Sequence, residues 1–221
     1  MILAIDTATS TVGLALHDGA TVLSEHSWLS REHHTVELAP EVALAFRRIG
    51  IEAKDLTGVA VARGPGSYTG LRIGMALAKG IAMAHGLPLI GVPTLDILAA
   101  ARPEQPEPML CVLQAGRGRI ASVWYKWERD AWQAQSSPEN LTWKAALARL
   151  EEPTYVCGEL RPDQREKLRR ERWVMLASPA QCVRRPGVLA ELAQRKLLAG
   201  ESGDPKALSP IYLGSLDGAP A

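Results

Sequence analysis

The stretch ARGPGSYTGLRIGMALAKGIA, Ala62–Ala82, constrains this chain more than any other. Three glycines and a proline fall between Gly64 and Gly70, and a helix-forming run follows. The preceding TGVAVA, Thr57–Ala62, is a short apolar run bounded by polar residues and Gly, and it reads as a buried strand. Strand, glycine turn and helix in that order belong to an α/β domain. A loop of this kind can hold an anion, because free N–H groups and the helix dipole point at it. The spacing fits neither familiar nucleotide motif. A dinucleotide fingerprint needs G-x-G-x-x-G, and Gly70 comes one residue late after Gly64 and Gly66. A Walker A loop needs Lys after its last glycine, and Gly70 is followed by Leu71 and Arg72.

The helix favours a packing role for the loop. Gly70, Gly74, Ala78 and Ala82 recur every four residues and form a ridge without bulk, with Leu71 and Met75 beside it. Each internal glycine costs a helix about 1 kcal/mol relative to Ala. A helix that carries this cost lets another backbone come close. The spacing leaves open whether that backbone is its own sheet or a second subunit.

The rest of the chain extends the α/β pattern. MILAID reads as a buried strand, and VGLALHDGATVLSEHSW as two more joined at Asp18-Gly19, a hairpin signal. TVELAPEVALAFRRIG has helical spacing and stops at Gly50, with Pro40 near the first turn or at a kink. LPLIGV is another strand, and a helix follows through Leu95 to Ala101. ARPEQPEP, Ala101–Pro108, has three prolines in eight residues and reads as a stiff linker. After it the pattern restarts: a strand (MLCVLQAG), a hairpin (RIASVWYKWE and AWQAQS), then helix, strand, helix, strand and a last helix. That helix opens at Pro186 and ends at Gly200. Two lobes are expected, residues 1–102 and a smaller, divergent 103–221, as a duplicated unit.

Composition narrows the function. A net charge of +1 gives no strong pull toward nucleic acid or membrane. Cys111, Cys157 and Cys182 lie far apart without a C-x-x-C pair, which predicts buried free thiols and not a zinc site or a disulfide framework. MILAIDTATS has no basic leader, and no apolar run reaches membrane-spanning length, so a cytoplasmic chain is expected.

Few residues offer chemistry. Asp6 and Thr7 end the first strand, where a carboxylate and a hydroxyl can hold a metal–phosphate or merely cap a turn. His33 and His34 are neighbours, which point about 100° apart on a helix and make poor co-ligands. Arg161–Arg172 has six basic and three acidic residues and reads as a solvated helix face, with an RNA contact as the lesser reading. Five tryptophans of the second half read as packing, and no nucleophile elbow is present.

MILAIDTATSTVGLAL, HTVELAP, GPGSYTGLRIGMALAKGIA and IGVPTLD, in this order, resemble the TsaB (formerly YeaZ) family. The resemblance covers about 100 residues of the first lobe and weakens in the second. There Gln114-Ala115-Gly116-Arg117 stands where the family has Asp-Ala-Arg, and Gly214 replaces an Arg after Pro210-Ile211-Tyr212-Leu213. The family implies the actin/Hsp70/sugar-kinase fold, built from two ribonuclease-H-like lobes. It also implies a non-catalytic, cofactor-free subunit in N6-threonylcarbamoyladenosine (t6A) formation in tRNA. Its partners would be a TsaD-type catalytic subunit and a TsaE-type ATPase, with tRNA met only in the complex and a homodimer when alone. The catalytic paralogue carries a His-x-x-x-His metal pair whose positions fall here on Thr94 and Leu98. The resemblance implies pairing through first-lobe helices, and Gly70, Leu71, Gly74, Met75 and Ala78 are expected either to form that interface or to pack the helix so that a neighbour can. The alternative is a kinase or ATPase of the same fold with Asp6 and Thr7 at the phosphates, although no Gly-Gly adenosine turn is visible. A metalloprotease has no H-x-x-x-H or H-E-x-x-H to rest on.

Overall fold

The computed structural model describes residues 1–30, 34–201 and 203–213. Its chain forms two compact units, Met1–Ile97 with Arg185–Ile211, and Leu98–Arg184 with the chain from Tyr212.

The first unit is built on five strands: β1 (Ile2–Asp6), β2 (Thr11–His17), β3 (Val22–Leu29), β4 (Gly58–Ala62) and β5 (Leu89–Val92), in the order β3-β2-β1-β4-β5. β1 is antiparallel to β2 and parallel to β4, and β4 is parallel to β5. Every residue of β1 and β4 is buried, which is why both read as unbroken apolar runs without alternation. One face is covered by α1 (His34–Ile49) and α2 (Tyr68–His85), which touch each other. Leu3, Ile5, Val12, Leu14 and Leu16 meet Leu38 and Val42 of α1 and Met75 and Ala78 of α2 in one core. α1 continues past Pro40, which lies inside the helix on its exposed side and removes one backbone hydrogen bond there.

The second unit repeats the plan. It has β6 (Met109–Gln114), β7 (Arg119–Glu128), β8 (Ala131–Ala134), β10 (Thr154–Gly158) and β11 (Val174–Leu176), ordered β11-β10-β6-β7-β8, while β9 (Glu139–Thr142) also pairs with β7. The strand directions match those of the first sheet: β6 is antiparallel to β7 and parallel to β10, and β10 is parallel to β11. Two copies of this ribonuclease-H-like sheet in one chain are the make-up of the actin/Hsp70/sugar-kinase class. The helices here are short: α3 (Thr94–Ala100) enters the unit, and α4 (Trp143–Leu147) and α5 (Pro162–Leu168) follow the later strands.

The last helix, α6 (Pro186–Leu198), departs from the expected division at residue 102. It was expected in the second lobe and packs on the first sheet, against β1, β2 and β5. Side chains alternate along a strand, so Gly13 and Ala15 of β2 face away from the α1/α2 core and leave a shallow groove. The added Cβ of Gly13 would stand 3.1 Å from Pro186, so α6 lies directly in that groove. Leu189, Ala190 and Ala193 are buried there. Glu25 of β3 fixes the start of α6: its carboxylate accepts the N–H of Gly187 at 2.9 Å and pairs with Arg185. An anion at a helix N-terminus is also favoured by the dipole. Among the described residues no helix is long and apolar enough to cross a membrane.

Candidate functional site

The end of β1 and the glycine loop close on each other. Asp6 is buried, and its Oδ1 accepts the N–H of Ala8 at 2.9 Å. Thr7 is fully buried, and its hydroxyl donates to the carbonyl of Gly70 at 2.7 Å. Three of the loop's own donors are engaged inside the unit. Gly64 N–H goes to the Thr94 hydroxyl at 3.0 Å, Ser67 N–H to the Ala8 carbonyl at 2.6 Å, and Gly70 N–H to the Ser67 side chain, the N-cap of α2, at 3.2 Å. The Gly64–Pro65 peptide is cis. These three N–H groups are spent on the protein itself and not on an anion.

The small-residue ridge faces inward. A Cβ on Gly66 or Gly70 would run into the carbonyl oxygens of Ala8 and Thr7, and one on Gly74 would run into the Thr7 hydroxyl. Gly70, Leu71, Gly74, Met75 and Ala78 are all buried in the first unit. Of the two readings left open by the sequence, the close approach is to their own sheet. These five residues do not face a partner directly; of the two roles expected for the ridge, they take the packing one and seat α2.

The other side of α2 holds a second ridge. Arg72, Ala76, Gly80 and Ala84 recur every four residues and are exposed, with Met83 beside them 56% exposed. A Cβ on Gly80 would meet nothing within 4 Å. This glycine thus costs the helix about 1 kcal/mol without a close approach on this side among the described residues. Neighbouring α1 exposes Val36, Ala39, Pro40 and Ala43, with Val36 67% exposed. At the start of α2 the Arg72 guanidinium lies 3.7 Å from the centre of the Tyr68 ring. The outer ridge was legible in the sequence at the same period as the inner one, and period alone could not tell which of the two faced the sheet.

The positions of the paralogue's metal pair do not fit a metal. Leu98 has no ligating atom, and the Thr94 hydroxyl is buried and already accepts the Gly64 N–H. Among the described residues no three His, Cys, Asp or Glu side chains gather as a ligand set. His34 Nε2 sits 3.1 Å from the Thr9 carbonyl, His17 Nδ1 accepts from Gly19, and His26 faces Glu41 at 3.3 Å. His33 lies outside the described residues.

In the second unit, Gln114 ends β6 as Asp6 ends β1. Its amide donates to the Glu159 carbonyl at 2.6 Å and to Gln164 at 2.9 Å. An aspartate has no donor for these bonds, so Gln at this place has a local reason. Glu159 in turn pairs with the buried Arg184 at 3.0 Å. The basic run has solvated pairs as expected, Arg161 with Asp163 and Arg170 with Glu166, but Arg165 turns inward to the Ala177 carbonyl. The tryptophans pack: Trp124 and Trp143 lie against the core, and Trp127 meets Trp132 edge-on at 5.6 Å.

Comparison with known proteins places this geometry. A family model described as "TsaD: tRNA N6-adenosine threonylcarbamoyltransferase" matches residues 26–148. The tRNA threonylcarbamoyladenosine biosynthesis protein TsaB of Bacillus subtilis is 30% identical over 218 residues, 96% of this chain and 93% of the relative. The chain belongs to the TsaB (YeaZ) family. The Escherichia coli TsaB is 38% identical over 131 residues, 58% of this chain and 55% of that protein. The solved structure "YeaZ from Pseudomonas aeruginosa" superposes with a TM-score of 0.77 at 24% identity, covering 96% of this chain and 99% of that one, and shares the fold.

Proposed function

We propose that this chain is a non-catalytic cytoplasmic subunit of a tRNA t6A-forming system, and that it pairs with a TsaD-type catalytic subunit through the outer face of α1 and α2. The observation that carries the reading is the outer ridge of α2, where a Cβ on Gly80 would meet nothing within 4 Å among the described residues. Ala76 and Ala84 flank it, and the apolar stripe of α1 continues the surface. Two helices that present small residues can meet a partner's helices at short distance and bury backbone as well as side chains. The inner ridge supports this from below. By letting α2 sink against Thr7, Gly70 and Gly74 set the height of the outer face.

The loop supports the non-catalytic half of the reading, since the N–H groups of Gly64, Ser67 and Gly70 already have acceptors in the protein. The name of the Bacillus subtilis relative supports the pathway. The same face would pair with itself when the catalytic subunit is absent. A TsaE-type ATPase and the tRNA would join the pair and not the isolated chain. This subunit raises activity only by as much as it binds the partner's competent state better than its idle state.

An omission assay tests this. Threonylcarbamoyl-AMP, unmodified tRNA, the cognate TsaD-type subunit and the TsaE-type ATPase with ATP are combined with and without this chain, and the modified nucleoside is measured by mass spectrometry. Product that depends on this chain, with none formed when the TsaD-type subunit is left out, is the expected result. Unchanged product on omission would overturn the proposal.

A further inference from the structure

The chain's three cysteines are far apart in sequence and meet in the second unit. Cys111 of β6 and Cys157 of β10 are register partners on adjacent parallel strands, and both are fully buried. Cys182 ends a short 3-10 turn, Pro179–Cys182, that packs on β10, and it is partly exposed. All three are free thiols.

The turn that carries Cys182 packs on β10 beside Cys157, whose sulfur reaches the carbonyl of Gln181, the residue before Cys182, at 3.2 Å. Arg165 of α5 brings its Nη1 to 3.7 Å from the Cys182 sulfur, while its other terminal nitrogen donates to the Ala177 carbonyl and holds the guanidinium in place. The Cys157 thiol, the Gly158 N–H and Arg165 together pull Cys182 well below the ordinary cysteine range, against its own desolvation. The neighbouring Cys182, with burial, pushes Cys157 up. One thiol is thus poised as a thiolate at the surface and the other kept protonated beneath it, the division of labour of an attacking and a resolving cysteine.

We propose that Cys182 and Cys157 form a reversible, peroxide-sensitive thiol–disulfide pair, with Cys182 attacking and Cys157 resolving. The oxidant is hydrogen peroxide. The Cys182 thiolate attacks one peroxide oxygen. An S–O bond forms, the O–O bond breaks, and hydroxide leaves and takes up a proton as water. The product is Cys182 sulfenic acid, its sulfur oxidised by two electrons. Cys157 then attacks that sulfur. The S–S bond forms, the S–O bond breaks, and the departing hydroxide carries off the Cys157 proton as a second water. Two thiols and one peroxide give one disulfide and two waters. A small dithiol reverses the reaction by exchange. Cys182 sits two residues before Arg184, where the second unit's main segment ends, so the bond would staple this exit turn to β10.

The test uses the full chain and hydrogen peroxide. After oxidation the protein is unfolded in alkylating reagent and its intact mass and peptides are read. The expected result is a loss of about 2 Da before alkylation, one Cys157–Cys182 disulfide, Cys111 alkylated, and full reversal by dithiothreitol. Cys182→Ser should abolish the reaction, and Cys157→Ser should stop it at a sulfenic acid on Cys182 that dimedone traps. Arg165→Gln should slow disulfide formation severalfold with the fold retained by circular dichroism. Should Cys157→Ser fail to fold, the alkylation pattern of the unsubstituted chain decides alone. Three results would each overturn the proposal: a Cys111–Cys157 bond, Cys182 driven to sulfinic acid with Cys157 still free, or three unreacted thiols at a peroxide dose that oxidises the unfolded chain.

Discussion

After its third and fourth strands the first sheet carries helices of 16 and 18 residues, α1 and α2. At the corresponding places the second sheet has helices of 5 and 7 residues, α4 and α5. The two sheets share strand order and direction, so the difference lies in what covers them. A five-residue helix fills a gap in its own core, as Ala146 of α4 does beside Ile120 and Val156. An 18-residue helix has a second side to use. α2 uses its inner side for Gly70, Gly74 and Ala78 and shows Ala76, Gly80 and Ala84 to the outside. The strand ends differ in the same way. Asp6 and Thr7 knit β1 to the start of α2, whereas Gln114 bonds to Glu159 and Gln164 within a half-buried side-chain network. In this duplicated fold the sheet is the common part, and the covering helices are where the two units differ.

Gly74 gives the sharpest break of that contrast. Gly74→Leu should prevent the first unit from folding, because its branched side chain would have to occupy the place of Thr7. Gly74→Ala should cost about 1–3 kcal/mol, seen as a lowered denaturation midpoint. Gly80 on the same helix should behave in the opposite way. Gly80→Ala should stabilise the isolated chain by about 0.5–1 kcal/mol, and a melt that drops instead would mean that its Cβ is not in open space.

Thr94→Val should cost about 1–2 kcal/mol by leaving the buried Gly64 N–H without its acceptor. Paired melts of Thr94→Val and Thr94→Ser separate the hydroxyl from the methyl, and equal losses would sink the hydrogen-bond explanation. In the second unit, Lys167→Gln with Arg169→Gln should change neither the melt nor the affinity for the catalytic subunit by more than a few tenths of a kcal/mol, since both residues are exposed. The smallest effect is one of pH. Alkylation of Cys182 should reach half its plateau rate below the pH of about 8.5 usual for a free thiol, because its Cys157, Gly158 and Arg165 contacts favour the thiolate. A midpoint at or above that pH would contradict those contacts.

Much of the fold was legible in the sequence for local reasons. β1 and β4 are buried on both faces, so ILAID and GVAVA carry no alternation to misread. Asp18-Gly19 placed the first hairpin, and Gly50, Pro186 and Gly200 bounded helices as expected. What escaped depends on contacts between distant segments. The home of α6 is set by Gly13 and Glu25, some 160 residues away, and no local pattern announces it. The inner ridge was found and its outer twin was not, since Gly74 and Gly80 differ only in what lies opposite. The cysteines looked scattered because the β6–β10 register, which brings Cys111 beside Cys157, is not written in spacing.

The most direct measurement is the affinity of the cognate TsaD-type subunit for the unsubstituted chain and for Gly80→Arg, by isothermal titration calorimetry, with thermal melts of both chains alongside. An unchanged melt with pairing weakened at least about tenfold, roughly 1.4 kcal/mol, is the predicted result. Equal affinities with equal melts would show that the outer face of α2 is not where the partner sits.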